Sequence, residues 1–161
     1  MTIAITAVVV ILLVAIDQLT KYLVLCYLKP VNYLTLIDGI LQFRYVENTG
    51  AAFGIFSDKT WALSVLTGVI IVIGFCFLFI GKTDDKVQTA ALILILAGGA
   101  GNLIDRVARH FVVDFIEFTF VDFAVFNFAD ICVTFGAGLF ILSMIIDSVR
   151  ERKQENENAD E

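Results

Sequence analysis

Four stretches of this chain carry no charged side chain over lengths that can cross a bilayer, and no other feature limits its possible folds so strongly. Residues 1–16, 61–81, 87–104 and 131–146 contain no Asp, Glu, Lys or Arg. The second run is 21 residues long; as a helix rising about 1.5 Å per residue it covers the roughly 30 Å of a hydrocarbon core. In a chain of 161 residues, 59% hydrophobic side chains and 15 Phe are too much apolar surface for a water-soluble globule to bury, because small domains bury the smallest share of their surface. Lipid must cover the rest. The sequence therefore predicts a mainly α membrane protein with four transmembrane helices, at about 2–28, 61–81, 87–105 and 127–146. These form a single membrane-embedded domain over 1–149, followed by a polar tail at 150–161. The uncharged N-terminus lacks the basic region and small-residue cleavage site of a signal peptide, so it reads as the first span.

The stretch between the first two spans has a different character. Val31 to Val46 (VNYLTLIDGILQFRYV) is rich in β-branched and aromatic residues and is interrupted by Asp38-Gly39, a hairpin signal. Pro30 should stop the first helix. A small extracytoplasmic β-cradle between helices 1 and 2, within about 31–56, is expected at the membrane surface. Residues 82–86 (KTDDK) read as a tight polar turn, and 105–125 as a link along the interface.

Much of the net charge of -6 comes from the end of the chain, where Asp147, Glu151, Glu155, Glu157, Asp160 and Glu161 outnumber Arg150, Arg152 and Lys153. This reads as a solvated tail without fixed structure. No basic patch with interleaved aromatics is present, so nucleic acid is not an expected partner. Cys26, Cys76 and Cys132 each sit in an apolar run and read as small buried hydrophobes. Four spans put both termini and the KTDDK turn on one side, and basic residues are too evenly divided to decide which side that is.

Asp17, Asp105, Asp114 and Asp130 lie at the ends of apolar segments, all on one membrane face by this connectivity. An ionisable group beside hydrocarbon is costly unless paired or hydrated. Asp17 and Lys21 are spaced i, i+4 and read as an ion pair on one helix face. Asp105, next to Arg106 and one turn after Asn102, reads as part of a polar cluster at a helix end. Asp114 (VVDFI) and Asp130 (FNFAD) have no such local partner, and two readings stay open. They are solvated interfacial acids, or they meet and share one proton, so that one activates water while the other polarises a carbonyl. A proton-coupled transporter would hold its carboxylates nearer the bilayer midplane, and a non-catalytic assembly subunit would use them as glue between helices. No metal or cofactor is expected, since His110 has no companion ligands. Ser57, Ser64, Ser143 and Ser148 lack a suitably spaced base, and Gly98, Gly99 and Gly101 read as close helix packing.

Five segments in order, DQLTK at 17–21, ENTGAAFGIF at 47–56, GGAGNLIDR at 98–106, VVDFI at 112–116 and FNFAD at 126–130, resemble those of the bacterial lipoprotein signal peptidase (signal peptidase II) family. The resemblance implies a membrane aspartyl endopeptidase with both termini in the cytoplasm and its active site near the extracytoplasmic face of the bacterial inner membrane. Its substrate would be a prolipoprotein carrying a diacylglyceryl cysteine, cut just before that cysteine, with membrane lipid as its surroundings and globomycin-type compounds as inhibitors. Carried over by motif, the catalytic pair is Asp114 and Asp130. Asn48, Gly50, Asn102, Arg106 and Asn127 match positions that line the site or hold substrate, while Asp17, Lys21 and Asp105 match supporting polar positions.

Overall fold

The computed structural model describes residues 3–50, 60–79 and 85–159. Helix α1 runs over Ile3–Leu23 and continues as a π-helical turn over Val24–Leu28, just ahead of Pro30. Strands β1 (Tyr33–Ile37) and β2 (Leu41–Asn48) follow, joined by a turn in which Gly39 takes φ +69°. Glycine adopts that left-handed backbone without steric cost. Helices α2 (Thr60–Phe79) and α3 (Lys86–Arg109) come next, then strand β3 (Val112–Phe118) and helix α4 (Phe128–Ala159). All four helices are long and apolar enough to cross a membrane. The 51–56 part of the ENTGAAFGIF segment and residues 82–84 of the expected turn lie outside the described residues.

α3 packs against α1, α2 and α4. Its glycines explain the close approach: a Cβ on Gly98 would collide with the Ala129 carbonyl oxygen and Val133 of α4, and one on Gly101 with the Asp17 carboxylate of α1. The outward faces keep large apolar side chains exposed, among them Ile11 and Leu19 on α1, Val65 and Ile73 on α2, and Ile141 and Ile145 on α4. In water such a surface would be untenable; against lipid it is the expected one.

Three features depart from the sequence reading. The sheet has three strands in the order β1-β2-β3, all antiparallel, because the link expected at 105–125 contains a strand. Its partner lies more than sixty residues earlier, as in the pairing of Leu41 with Phe118, and such distance hides the pairing from local patterns. The tail expected to be unstructured is helical through Ala159. A helix already nucleated by the span needs only propagation, and Glu, Arg, Lys and Gln are good helix formers. Cys132 is buried as expected, but Cys26 and Cys76 are exposed on the outer surface of the helices; an apolar run in a membrane faces lipid as readily as core.

The sheet has its own small core. Val24 and Leu28 at the end of α1 pack on Val113 and Phe115 of β3, with Phe43 and Tyr45 of β2 against them. After β3 the chain loops back on itself: Ile116 N–H donates to the Phe126 carbonyl at 2.8 Å and Phe126 N–H returns a bond to Ile116 at 3.0 Å. This return brings the start of α4 alongside Asp114.

Candidate active site

Two groups of acids, all buried except the half-buried Asp130, meet where α1, α3, β3 and α4 converge. In the first, Lys21 Nζ bonds Asn102 Oδ1 at 2.8 Å, Asp17 Oδ2 at 2.9 Å and Asp105 Oδ2 at 3.3 Å. The ammonium thus hydrogen-bonds one amide oxygen and forms ion pairs with two carboxylates. Lys21 and Asp105 have 0% of their side chains exposed and Asp17 has 1%, so this pairing is what makes their burial tolerable. Asp17 Oδ1 also accepts from Ala129 N–H at 3.0 Å, satisfying a free donor in the first turn of α4. Asp105 Oδ2 accepts from Val113 N–H at 3.1 Å, and Arg109 pairs with Oδ1 of the same carboxylate. Asp105 thereby ties β3 to α3.

The second group is built by asparagines. Asn127 precedes α4 and caps it reciprocally: Asp130 N–H donates to Asn127 Oδ1 at 3.0 Å, and Asn127 N–H donates to Asp130 Oδ2 at 3.1 Å. This is the reciprocal pattern of a capping box. Asn127 Nδ2 donates to Asp114 Oδ1 at 2.6 Å and to Asn102 Oδ1 at 3.1 Å, while Asn102 Nδ2 donates to Asp130 Oδ1 at 2.8 Å. Asn48 completes the frame. Its pairing partner is Val112, so Asp114, two residues on, shares its face of the sheet. Asn48 Oδ1 accepts from Gly50 N–H at 2.9 Å, which turns Nδ2 towards Asp114 Oδ2 at 2.8 Å.

Asp114 and Asp130 both line one cavity of about 520 Å³, with Asn48, Asn102 and Arg106. Its other wall is apolar and includes Phe118, Phe123, Phe126, Ile131 and Phe135. Burial first, and the neighbouring Asp130 second, push the Asp114 carboxyl up to about 7, against the opposing hydrogen bonds from Asn48 and Asn127. Near neutrality such a carboxyl holds a proton part of the time, as a general acid must. Arg106 Nη2 reaches the Gly50 carbonyl only at 3.5 Å, and its buried Nε has no hydrogen-bond partner among the described residues. A cavity with two carboxyls, a guanidinium and an apolar wall suits a substrate that is part peptide and part hydrocarbon.

The residues singled out from sequence thus fall in one connected cluster. Asp114, Asp130, Asn48, Asn102 and Arg106 line the cavity, Asn127 and Gly50 hold its frame, and Asp17, Lys21 and Asp105 lie directly behind it. Sequence reasoning missed Gln18, whose Nε2 donates to Asp17 Oδ2 and the Gly101 carbonyl, both at 3.1 Å. It also missed Arg109 as the i, i+4 partner of Asp105, a spacing that was open to view. The part of the apolar wall supplied by 118–125 carried no motif.

The profile of the signal peptidase (SPase) II family matches residues 9–146. A lipoprotein signal peptidase of Shouchella clausii is 38% identical over 146 residues, covering 91% of this chain and 96% of the relative. Another, from Clostridium tetani, is 39% identical over 150 residues with the same coverage of 91% and 96%. Among solved structures, a bacterial membrane enzyme determined by the in meso method at 2.3 Å resolution superposes with a TM-score of 0.82 and 32% identity, covering 91% of this chain and 90% of that one.

Proposed function

The chain belongs to the signal peptidase II family, and from that membership we propose that it removes the signal peptide from diacylglyceryl-modified prolipoproteins, cutting just before the lipidated cysteine with water activated between Asp114 and Asp130. The observation that carries this reading is the asparagine frame, which turns both carboxyls to one cavity through Asn102 and Asn127.

In this mechanism Asp130 takes a proton from water as the water oxygen bonds to the scissile carbonyl carbon. Asp114, whose carboxyl stands at about 7, donates its proton to the carbonyl oxygen. Collapse of the tetrahedral intermediate returns that proton to Asp114 and breaks the C–N bond. The proton on Asp130 passes to the leaving nitrogen, which becomes the free amine of the cysteine. Arg106, whose Nε beside the cavity has no partner among the described residues, holds a backbone carbonyl of the substrate. The apolar wall receives acyl chains, and each buried methylene contributes about 0.8 kcal/mol, which favours lipid-modified precursors over unmodified ones. Globomycin-type inhibitors compete for the same cavity. The domain over 1–149 sits in the bacterial inner membrane, with both termini and the tail at 150–161 in the cytoplasm and the cavity near the extracytoplasmic face.

The test is cleavage of a lipidated lipobox peptide by the purified chain. The expected product begins with a lipid-modified cysteine bearing a free amine; a transporter or assembly subunit yields none. Turnover retained in both Asp114→Asn and Asp130→Asn would reject the pair.

A further inference from the structure

We propose that Lys21 is a positioning residue for this reaction, its buried ammonium acting through Asn102 to hold the frame that turns Asp114 and Asp130 to the cavity. This rests on the aspartate reading above. A side-chain amide can fit a site in either of two orientations, with oxygen and nitrogen exchanged. Asn102 has its oxygen towards Lys21 Nζ at 2.8 Å, which leaves its nitrogen to donate to Asp130 at 2.8 Å. The same oxygen accepts from Asn127 Nδ2, the group that also donates to Asp114. With the ammonium present, only one amide orientation avoids setting donor against donor. Lys21 is therefore one amide away from Asp130 and two from Asp114, without lining the cavity itself.

The charged groups around this ammonium are Asp17 on its own helix, Asp105 and Arg106 on α3 with Arg109 paired to Asp105, Asp114 on β3 and Asp130 on α4. Its positive charge opposes protonation of Asp114. Removing that charge alone should therefore move the alkaline limb of the rate profile upwards, so the test removes it together with the Asp17 charge and reads positioning from kcat against KM.

The experiment uses the full chain in detergent, with kcat and KM measured against pH on the lipidated lipobox peptide. The neutral double variant Asp17→Asn with Lys21→Met avoids leaving one buried charge unpaired. Expected are a kcat lower by about 100-fold, the scale of a misplaced working group, an almost unchanged KM, and an alkaline limb close to that of the wild type, because one positive and one negative charge leave together. Adding Asn102→Ala should cost little more than Asn102→Ala alone, since the two changes break one path. Lys21→Arg, which keeps the charge but not the reach, should lower kcat without moving the limb. Wild-type kcat in the folded double variant overturns the proposal, as does a loss confined to KM or full additivity with Asn102→Ala. If no Lys21 variant accumulates as a folded protein, the lysine serves folding alone and the proposal is also overturned. Failure of the aspartate reading is seen separately, as turnover in the Asp114→Asn and Asp130→Asn chains.

Discussion

Asp17 and Asp105 on one side, and Asp114 and Asp130 on the other, are two pairs of buried or half-buried acids joined through the single side chain of Asn102. Lys21 lies between the first two, and Arg109 closes on Asp105. Around the second pair the hydrogen-bond donors are uncharged: Asn48, Asn102, Asn127 and a backbone N–H. The first pair is neutralised and shut away from solvent, while the second opens on a cavity. Asp114 is buried as fully as Asp17 and Asp105, so burial does not mark the site. Carboxyls with no bonded cation among the described residues, facing space for a substrate, do.

The comparison breaks most visibly by substitution to asparagine, which removes a charge while keeping the shape. Asp114→Asn or Asp130→Asn should lower cleavage by about 10³-fold or more, the upper range for a positioned acid or base. Thermal unfolding in detergent should show at most about 1–3 kcal/mol of lost stability, because each change relieves like-charge crowding but sets one new amide donor against a donor that the carboxyl had accepted from. Asp105→Asn should do the reverse. It leaves Lys21 and Arg109 short of a counter-charge, with a cost of about 3 kcal/mol, while the surviving folded molecules still turn over. A stable, inactive Asp105→Asn chain would erase the distinction.

A smaller effect tests how tightly the neutralised pair is enclosed. Gly101→Ala directs a methyl group at the Asp17 carboxylate, which is also bonded to Lys21 and to the first turn of α4. The neighbour cannot yield without loosening those bonds, so about 1–3 kcal/mol of stability should be lost. Gly68→Ala, where a Cβ meets nothing within 4 Å, is the control and should be no less stable. Equal unfolding temperatures for the two variants would show that the enclosure is looser than the packing implies.

What is legible in the sequence follows the same division. The four helices can be read because lack of charge over a membrane's width is a local property, and the Asp17–Lys21 pair because i, i+4 is one. Asn127 and Asp130 are legible as a motif, although their spacing is also that of a helix cap. Lys21 and Asn102 are 81 residues apart, and nothing local connects them. Strand β3 is hidden for the same reason, as is the use of Phe118, Phe123 and Phe126 as a cavity wall. The helical continuation to Ala159 escapes a reading by composition, because polar residues signal disorder only where no span nucleates the helix ahead of them.

The smallest expected effect concerns the proton on Asp114. Asp114 has its carboxyl raised from 3.8 to about 7, so in the folded chain it is largely protonated below that pH and ionises above it. The proposed acid role is thus lost as pH rises, and kcat should fall through about pH 7. The hydrogen bond from Asn48 stabilises the ionised form and so lowers this value. Asn48→Ala removes it, and the limb should move to higher pH by up to about one unit, since a hydrogen bond to a charged group contributes about 1.5 kcal/mol and one unit corresponds to about 1.4. Gln18→Ala removes a comparable donor from Asp17, on the neutralised side, and should leave the limb where it is. A limb that moves equally in both variants would mean that Asn102 couples the pairs instead of dividing them.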